Sequence, residues 1–112
     1  MNPLKNKVVF ITGASAGIGE ACAVAFASAG ADLILTARRE QRLKALAERL
    51  AKEYNANVIY RVLDVRDKNM VRQAVNSLEG RWRNIDVLIN NAGLAIGVDK
   101  FHESAMDEWD AV

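Results

Sequence analysis

Four short segments carry residues whose types and spacing suit chemistry. The first is Thr12-Gly13-Ala14-Ser15-Ala16-Gly17-Ile18-Gly19. Gly13 permits a tight turn, Gly17 lets backbone come close to a bound group, and Gly19 lets a following helix pack tightly. The free N–H groups of a helix start carry partial positive charge, which suits a pyrophosphate. A plain turn with chance glycines is the competing reading. The strand before the loop and the helix after it favour the phosphate cradle. The second segment is Thr36-Ala37-Arg38-Arg39, in which arginine can grip a phosphate in fork geometry and stack on a base. The third is Asp64-Val65. Asp64 could accept a bond from an adenine amino group beside Val65, and it serves as readily as an N-cap or turn residue. The fourth is Asn90-Asn91-Ala92-Gly93, which can turn beside a ligand or form an ordinary polar turn.

These segments sit at the ends of alternating elements. Residues 7–12 (KVVFIT) read as a strand buried on both faces. A helix follows with Ile18, Ala21, Cys22, Ala25, Phe26 and Ala29 as its apolar stripe, stopped by Gly30. Residues 32–37 form a second strand. Residues 39–54 form a second helix with Leu43, Leu46, Ala47 and Leu50 inward. Residues 57–63 are a third strand. A third helix starts near Asp67 with Met70, Val71, Ala74, Val75 and Leu78 apolar. Residues 85–90 are a fourth strand, and Ser104 to Asp107 has the spacing of a capping box for another helix. Strands separated by helices make right-handed βαβ units and a parallel sheet. The fold class expected is α/β, a Rossmann-type sheet in the order 3-2-1-4 with helices on both faces. Ligands in such sheets bind at the switch point between strands 1 and 4, beyond the carboxyl ends. The glycine loop and Asn90-Asn91 both fall there. At the end of strand 2 an acid would favour NAD, whereas this chain has Arg38 and Arg39, so NADP is expected over NAD.

Composition narrows the class. The chain has 112 residues with 15 Lys and Arg against 14 Asp and Glu, a net charge of +1. That balance gives no reason to expect nucleic acid or an anionic membrane as partner. One cysteine excludes an internal disulfide, and Cys22 on an apolar face reads as a small core residue. No early apolar run is long enough for a leader or a span, so a cytoplasmic location is expected. His102 stands alone, and no cluster has metal-ligand spacing. Trp82 and Trp109 read as packing anchors, and Arg81-Trp82-Arg83 as a solvated connection.

Taken together, TGASAGIG at 12–19, Asp64-Val65 and NNAG at 90–93 resemble the short-chain dehydrogenase/reductase family in order and spacing. Within it, TARREQRL, NIDVLINNAGLAIG and EWD are similar to NADP-dependent 3-hydroxy acid or serine dehydrogenases. The resemblance implies cofactor contacts from Gly13, Ala14, Ser15, Ala16, Gly17 and Ile18. It also implies Arg38 and Arg39 on the 2′-phosphate, Asp64 and Val65 on adenine, and Asn91 on a ribose. It implies hydride transfer between a nicotinamide and an alcohol or carbonyl substrate, in a dimer or tetramer.

The family's catalytic Tyr-x-x-x-Lys is missing. Tyr54 is followed four residues on by Val58 and Tyr60 by Asp64; Lys100, His102 and Ser104 do not substitute. No catalytic residue is therefore expected in this chain. Residues 1–112 are expected to be the NADP-binding half of a dehydrogenase domain, truncated after strand 4. A stand-alone nucleotide-binding module, or a piece completed by another chain, are the alternatives. Val87-Leu88-Ile89 weighs against the stand-alone module. It reads as an interior strand, and a bare apolar edge without Lys or Pro invites pairing.

Overall fold

A computed structural model describes residues 3–15 and 17–91. The chain runs β1 (Val8–Thr12), α1 (Gly17–Ser28), β2 (Asp32–Ala37), α2 (Glu40–Tyr54), β3 (Val58–Val62), α3 (Lys68–Asn76), a 3-10 turn (Gly80–Arg83) and β4 (Val87–Asn90). The strands form one sheet in the order β3-β2-β1-β4, every pairing parallel. This is the Rossmann-type order expected. The register sets Thr12 beside both Thr36 and Asn90, so the carboxyl ends of the three strands lie level.

The two faces of the strands divide the core. Val9, Ile11, Leu33 and Leu35 pack with Ala23 and Ala27 of α1 and Leu43 and Leu50 of α2. Val8, Phe10 and Ile34, the residues between them, pack with Val71, Ala74, Leu78, Ile85 and Leu88 on the other face. The alternation is the two-residue repeat of a pleated strand. It explains why β1 and β2 are buried along their whole length, with apolar residues on both faces and polar ones only at or near their ends.

Helix ends follow local chemistry. The Asp67 carboxylate accepts from the backbone N–H groups of Asn69 (3.0 Å) and Met70 (3.2 Å), which caps α3. Asn55 closes α2 in the left-handed region at φ 55°.

Three expectations change. The buried line of α1 is Gly19, Ala23 and Ala27, with Cys22 and Phe26 half-buried, while Ala21 and Ala25 are exposed and Ile18 is 76% exposed. The apolar stripe is thus rotated, because only the smallest side chains allow the helix to approach the sheet so closely. Met70 on α3 is also partly exposed, at 37%. Arg81 does more than solvate a connection: its guanidinium pairs with Asp32, whose side chain is only 8% exposed and whose other oxygen accepts from Asn57 at 3.0 Å. Trp82 packs against the second core cluster as expected of an anchor. Residues 92–112, with Trp109, His102 and the capping-box segment, lie outside the described residues. Among the described residues β4 bonds to β1 alone, and Val87 and Ile89 are half-buried.

A buried carboxylate without its charged partner is costly. Arg81→Met should lower the unfolding free energy by about 1–3 kcal/mol. Arg81→Lys should recover part of that loss. Urea midpoints for the three proteins check the order.

Candidate functional site

The switch point begins at Thr12. Its hydroxyl accepts the backbone N–H of Asn91 at 3.1 Å and faces the Asn90 side-chain oxygen at 3.1 Å. The Asn91 side-chain amide donates to the Thr12 carbonyl. These bonds bind the ends of β1 and β4 into one floor. The polar residues Thr12, Thr36 and Asn90 are all buried here. On the other flank the Thr36 hydroxyl donates to the Ile11 carbonyl at 3.2 Å, and the Thr36 carbonyl accepts the N–H of Ala14 at 3.1 Å.

The glycine loop then leaves the sheet. Gly13 has φ +62° and Gly17 φ +58°, a region that glycine enters freely. Gly19 meets a different demand. A Cβ there would lie 1.9 Å from the carbonyl oxygen of Gly13 and 2.7 Å from its carbonyl carbon. Helix α1 is therefore seated directly on the turn that precedes it.

A cavity of about 550 Å³ opens between this loop and the ends of β2 and β3. Gly13 and Ser15 form one wall, and Arg38, Arg39 and Arg42 another. Leu63, Asp64, Val65 and Arg66 close the third. The structure thus brings together Gly13, Ser15, Arg38, Arg39, Asp64 and Val65 as predicted site residues. Gly17 lines an adjoining groove with Ser15 and Arg42. Ala14 is buried, with its N–H committed to Thr36. Ile18 stands exposed at the start of α1, and Asn91 lies at the β1–β4 floor. Ala16 is outside the described residues.

Two charged cavity residues escape the sequence reading. Arg42 follows Arg39 by three residues, one helical turn on, so that α2 periodicity could have added it to the same face. Arg66 clasps Asp64. Its Nε donates to Oδ1 at 3.1 Å, its Nη2 to Oδ2 at 2.9 Å, and its backbone N–H to Oδ1 at 2.9 Å. The side-chain bonds from Arg66, then its backbone N–H, hold the Asp64 carboxyl at about 2, well below the usual carboxylate range; the charge of Arg38 adds slightly. Asp64 is therefore the turn residue of one sequence reading, and it also faces the cavity required by the other. Among the described residues no group of three His, Cys, Asp or Glu could hold a metal, and no helix is long and apolar enough to cross a membrane.

A glycine cradle at the start of a helix, facing an arginine-rich wall beyond a parallel sheet, defines a Rossmann-type ligand-binding protein. The family model for short chain dehydrogenase matches residues 7–112, and the chain belongs to that family. It is 41% identical over 105 residues to the NADP-dependent 3-hydroxy acid dehydrogenase YdfG of Salmonella typhi, covering 94% of this chain and 41% of that protein. It superposes on L-sorbose reductase from Gluconobacter frateurii, solved with NADPH and L-sorbose, with a TM-score of 0.78 at 30% identity. That match covers 99% of this chain and 47% of the reductase. An alcohol dehydrogenase from Thermococcus sibiricus, solved with 5-hydroxy-NADP, gives 0.70 at 34% identity over 89% of this chain and 46% of its own. The chain thus spans about two-fifths of the length of the first curated relative.

The two glycines differ in a measurable way. Gly17→Ala meets nothing within 4 Å and bears only left-handed strain, whereas Gly19→Ala meets backbone. Gly17→Ala should cost about 1 kcal/mol and Gly19→Ala about 3 kcal/mol or more. Thermal melting of the two variants should show the larger fall for Gly19→Ala.

Proposed function

We propose that residues 1–112 form the NADP(H)-binding half of an oxidoreductase that moves hydride between the nicotinamide and an alcohol or carbonyl substrate, with 3-hydroxy acids the favoured class. One observation carries the reading. The cavity beyond β2 offers Arg38, Arg39 and Arg42 and no free carboxylate, since Asp64 is neutralised by Arg66. Such a wall suits a ribose bearing a 2′-phosphate and not a bare 2′-hydroxyl.

The residues fit that group. The left-handed turns at Gly13 and Gly17 form a cradle for the pyrophosphate at the start of α1, with Ser15 beside it. Arg38 and Arg39 take the 2′-phosphate, Asp64 and Val65 receive the adenine, and Asn91 meets a ribose. Ile18 adds backbone at the helix start, while Ala14 supports the loop from beneath; Ala16 is assigned to the cofactor by the family resemblance alone. When bound, NADP supplies the hydride or its acceptor. The chain's own part is to bind and orient it: helix-start N–H groups and guanidinium groups neutralise the phosphates, and the Thr12–Asn91 bonds keep the floor rigid. The proton-transfer group of the family, a tyrosine four residues before a lysine, is not in this sequence. The 41% identity to a 3-hydroxy acid dehydrogenase supports that substrate class.

Two outcomes test the reading. In the full-length protein, Arg38→Asp should reduce the preference for NADPH over NADH by roughly ten- to a hundredfold, read from the two dissociation constants. An unchanged ratio would remove Arg38 from the site. The 112-residue chain alone should give no NADPH-dependent turnover with 3-hydroxy acids or their carbonyl counterparts, followed by absorbance; steady turnover by the pure chain would refute the assignment of catalysis to residues outside it.

A further inference from the structure

Arg66 is the cavity residue with the most fully defined contacts. It lines the same wall as Asp64 and commits Nε, Nη2 and its backbone N–H to that one carboxylate. Each carboxylate oxygen has room for about two donors. Oδ1 already accepts two, at 2.9 and 3.1 Å, and is full. Among the described residues Oδ2 accepts one, at 2.9 Å, which leaves it one acceptor position. Asp64 lines the cavity and its side chain is 30% exposed, so it is open to a ligand there. An ionised carboxylate accepts only. The remaining position therefore takes an N–H donor and opposes a carbonyl oxygen, lone pair against lone pair.

We propose that Arg66 is a positioning residue for base selection. By clamping Asp64 with one outward acceptor, it makes this end of the cavity favour a purine with an exocyclic amino group over one with a carbonyl in the same place. The inference rests on the dinucleotide reading above and adds to it the residue that sets the discrimination. Asp64 alone is insufficient for this. Without the fork only the Arg66 backbone N–H bond to Oδ1 remains, which holds one oxygen and leaves the plane of the carboxylate free to turn, so that water can bridge Oδ2 to either kind of base. The fork removes that freedom, and two parallel N–H···O bonds fix the plane of the carboxylate. The effect is kept at every pH where the protein is folded and active, because Arg66 holds the Asp64 carboxyl at about 2.

The probes are NADPH and its hypoxanthine counterpart, in which a carbonyl replaces the amino group and the adjacent ring nitrogen gains a proton, so that a donor is moved one position away from the place the amino group held. Dissociation constants are measured in the full-length protein by the fluorescence of the reduced nicotinamide. The wild type should prefer NADPH by about tenfold or more, the scale of a hydrogen bond to a charged group. Arg66→Gln should bring that ratio to about threefold or less, even where both affinities fall. Arg66→Lys keeps the charge and loses the fork, and its ratio should also fall, by at least about threefold. Should the Gln variant fail to fold, the Lys variant decides on the same ratio. Variants that weaken both dinucleotides equally and keep the wild-type ratio would overturn the proposal and leave Arg66 as a loop support. Equal affinity of the wild type for the two probes would also overturn it, with the dinucleotide site intact. A wild type that binds neither probe would instead overturn the dinucleotide reading itself.

Discussion

The structure turns on the contact between Gly19 and the carbonyl of Gly13. No side-chain carbon fits there, since a Cβ would lie 1.9 Å from the oxygen. That contact sets the distance of α1 from the sheet. The distance in turn demands the small residues Ala23 and Ala27 further along the helix, and it displaces bulkier side chains outward. It also brings the first turn of α1 to the groove that adjoins the cavity, where N–H groups are valuable to an anion. One steric limit thus links the packing of the core to the geometry of the loop.

The opposite ends of the sheet hold different kinds of polar contact. At the carboxyl end, Thr12, Asn90 and Asn91 tie β1 to β4 with neutral hydrogen bonds, and the charges stand in the open cavity. At the amino end, charged groups make the contacts. Asp32 is buried against Arg81 and Asn57, and the Asp86 carboxylate accepts the N–H of Val8 at 2.9 Å. Neutral bonds beneath the site keep the floor from competing electrostatically with a ligand.

Much of this was legible in the sequence, for definite reasons. Buried parallel strands read as unbroken apolar runs, so β1 and β2 were plain, and the order followed from their alternation with helices. Arg38, Arg39, Asp64 and Val65 were recognisable as neighbours because the topology brings the carboxyl ends of adjacent strands together. The stripe of α1 was misread because hydrophobicity rewards Ile18, while the packing distance rewards Gly19 and Ala23. The pairing of Arg81 with Asp32 joins residues 49 apart and leaves no local pattern. Arg66 was nearer to hand: an aspartate two residues before an arginine can form a turn and a fork at once, although charge alone does not show that it will.

The cavity's arginines also bear on how fast a ligand arrives. The chain is nearly neutral, at +1 overall, yet Arg38, Arg39, Arg42 and Arg66 border one opening with Asp64 as their counter-charge. Four guanidinium groups at one mouth of a nearly neutral chain set up a local positive field, and an anionic ligand is turned and drawn in before contact. Such steering acts over about 8–10 Å in physiological salt and fades as ions screen it. Capture would therefore slow as salt is added, while release, governed by the close contacts inside, changes far less.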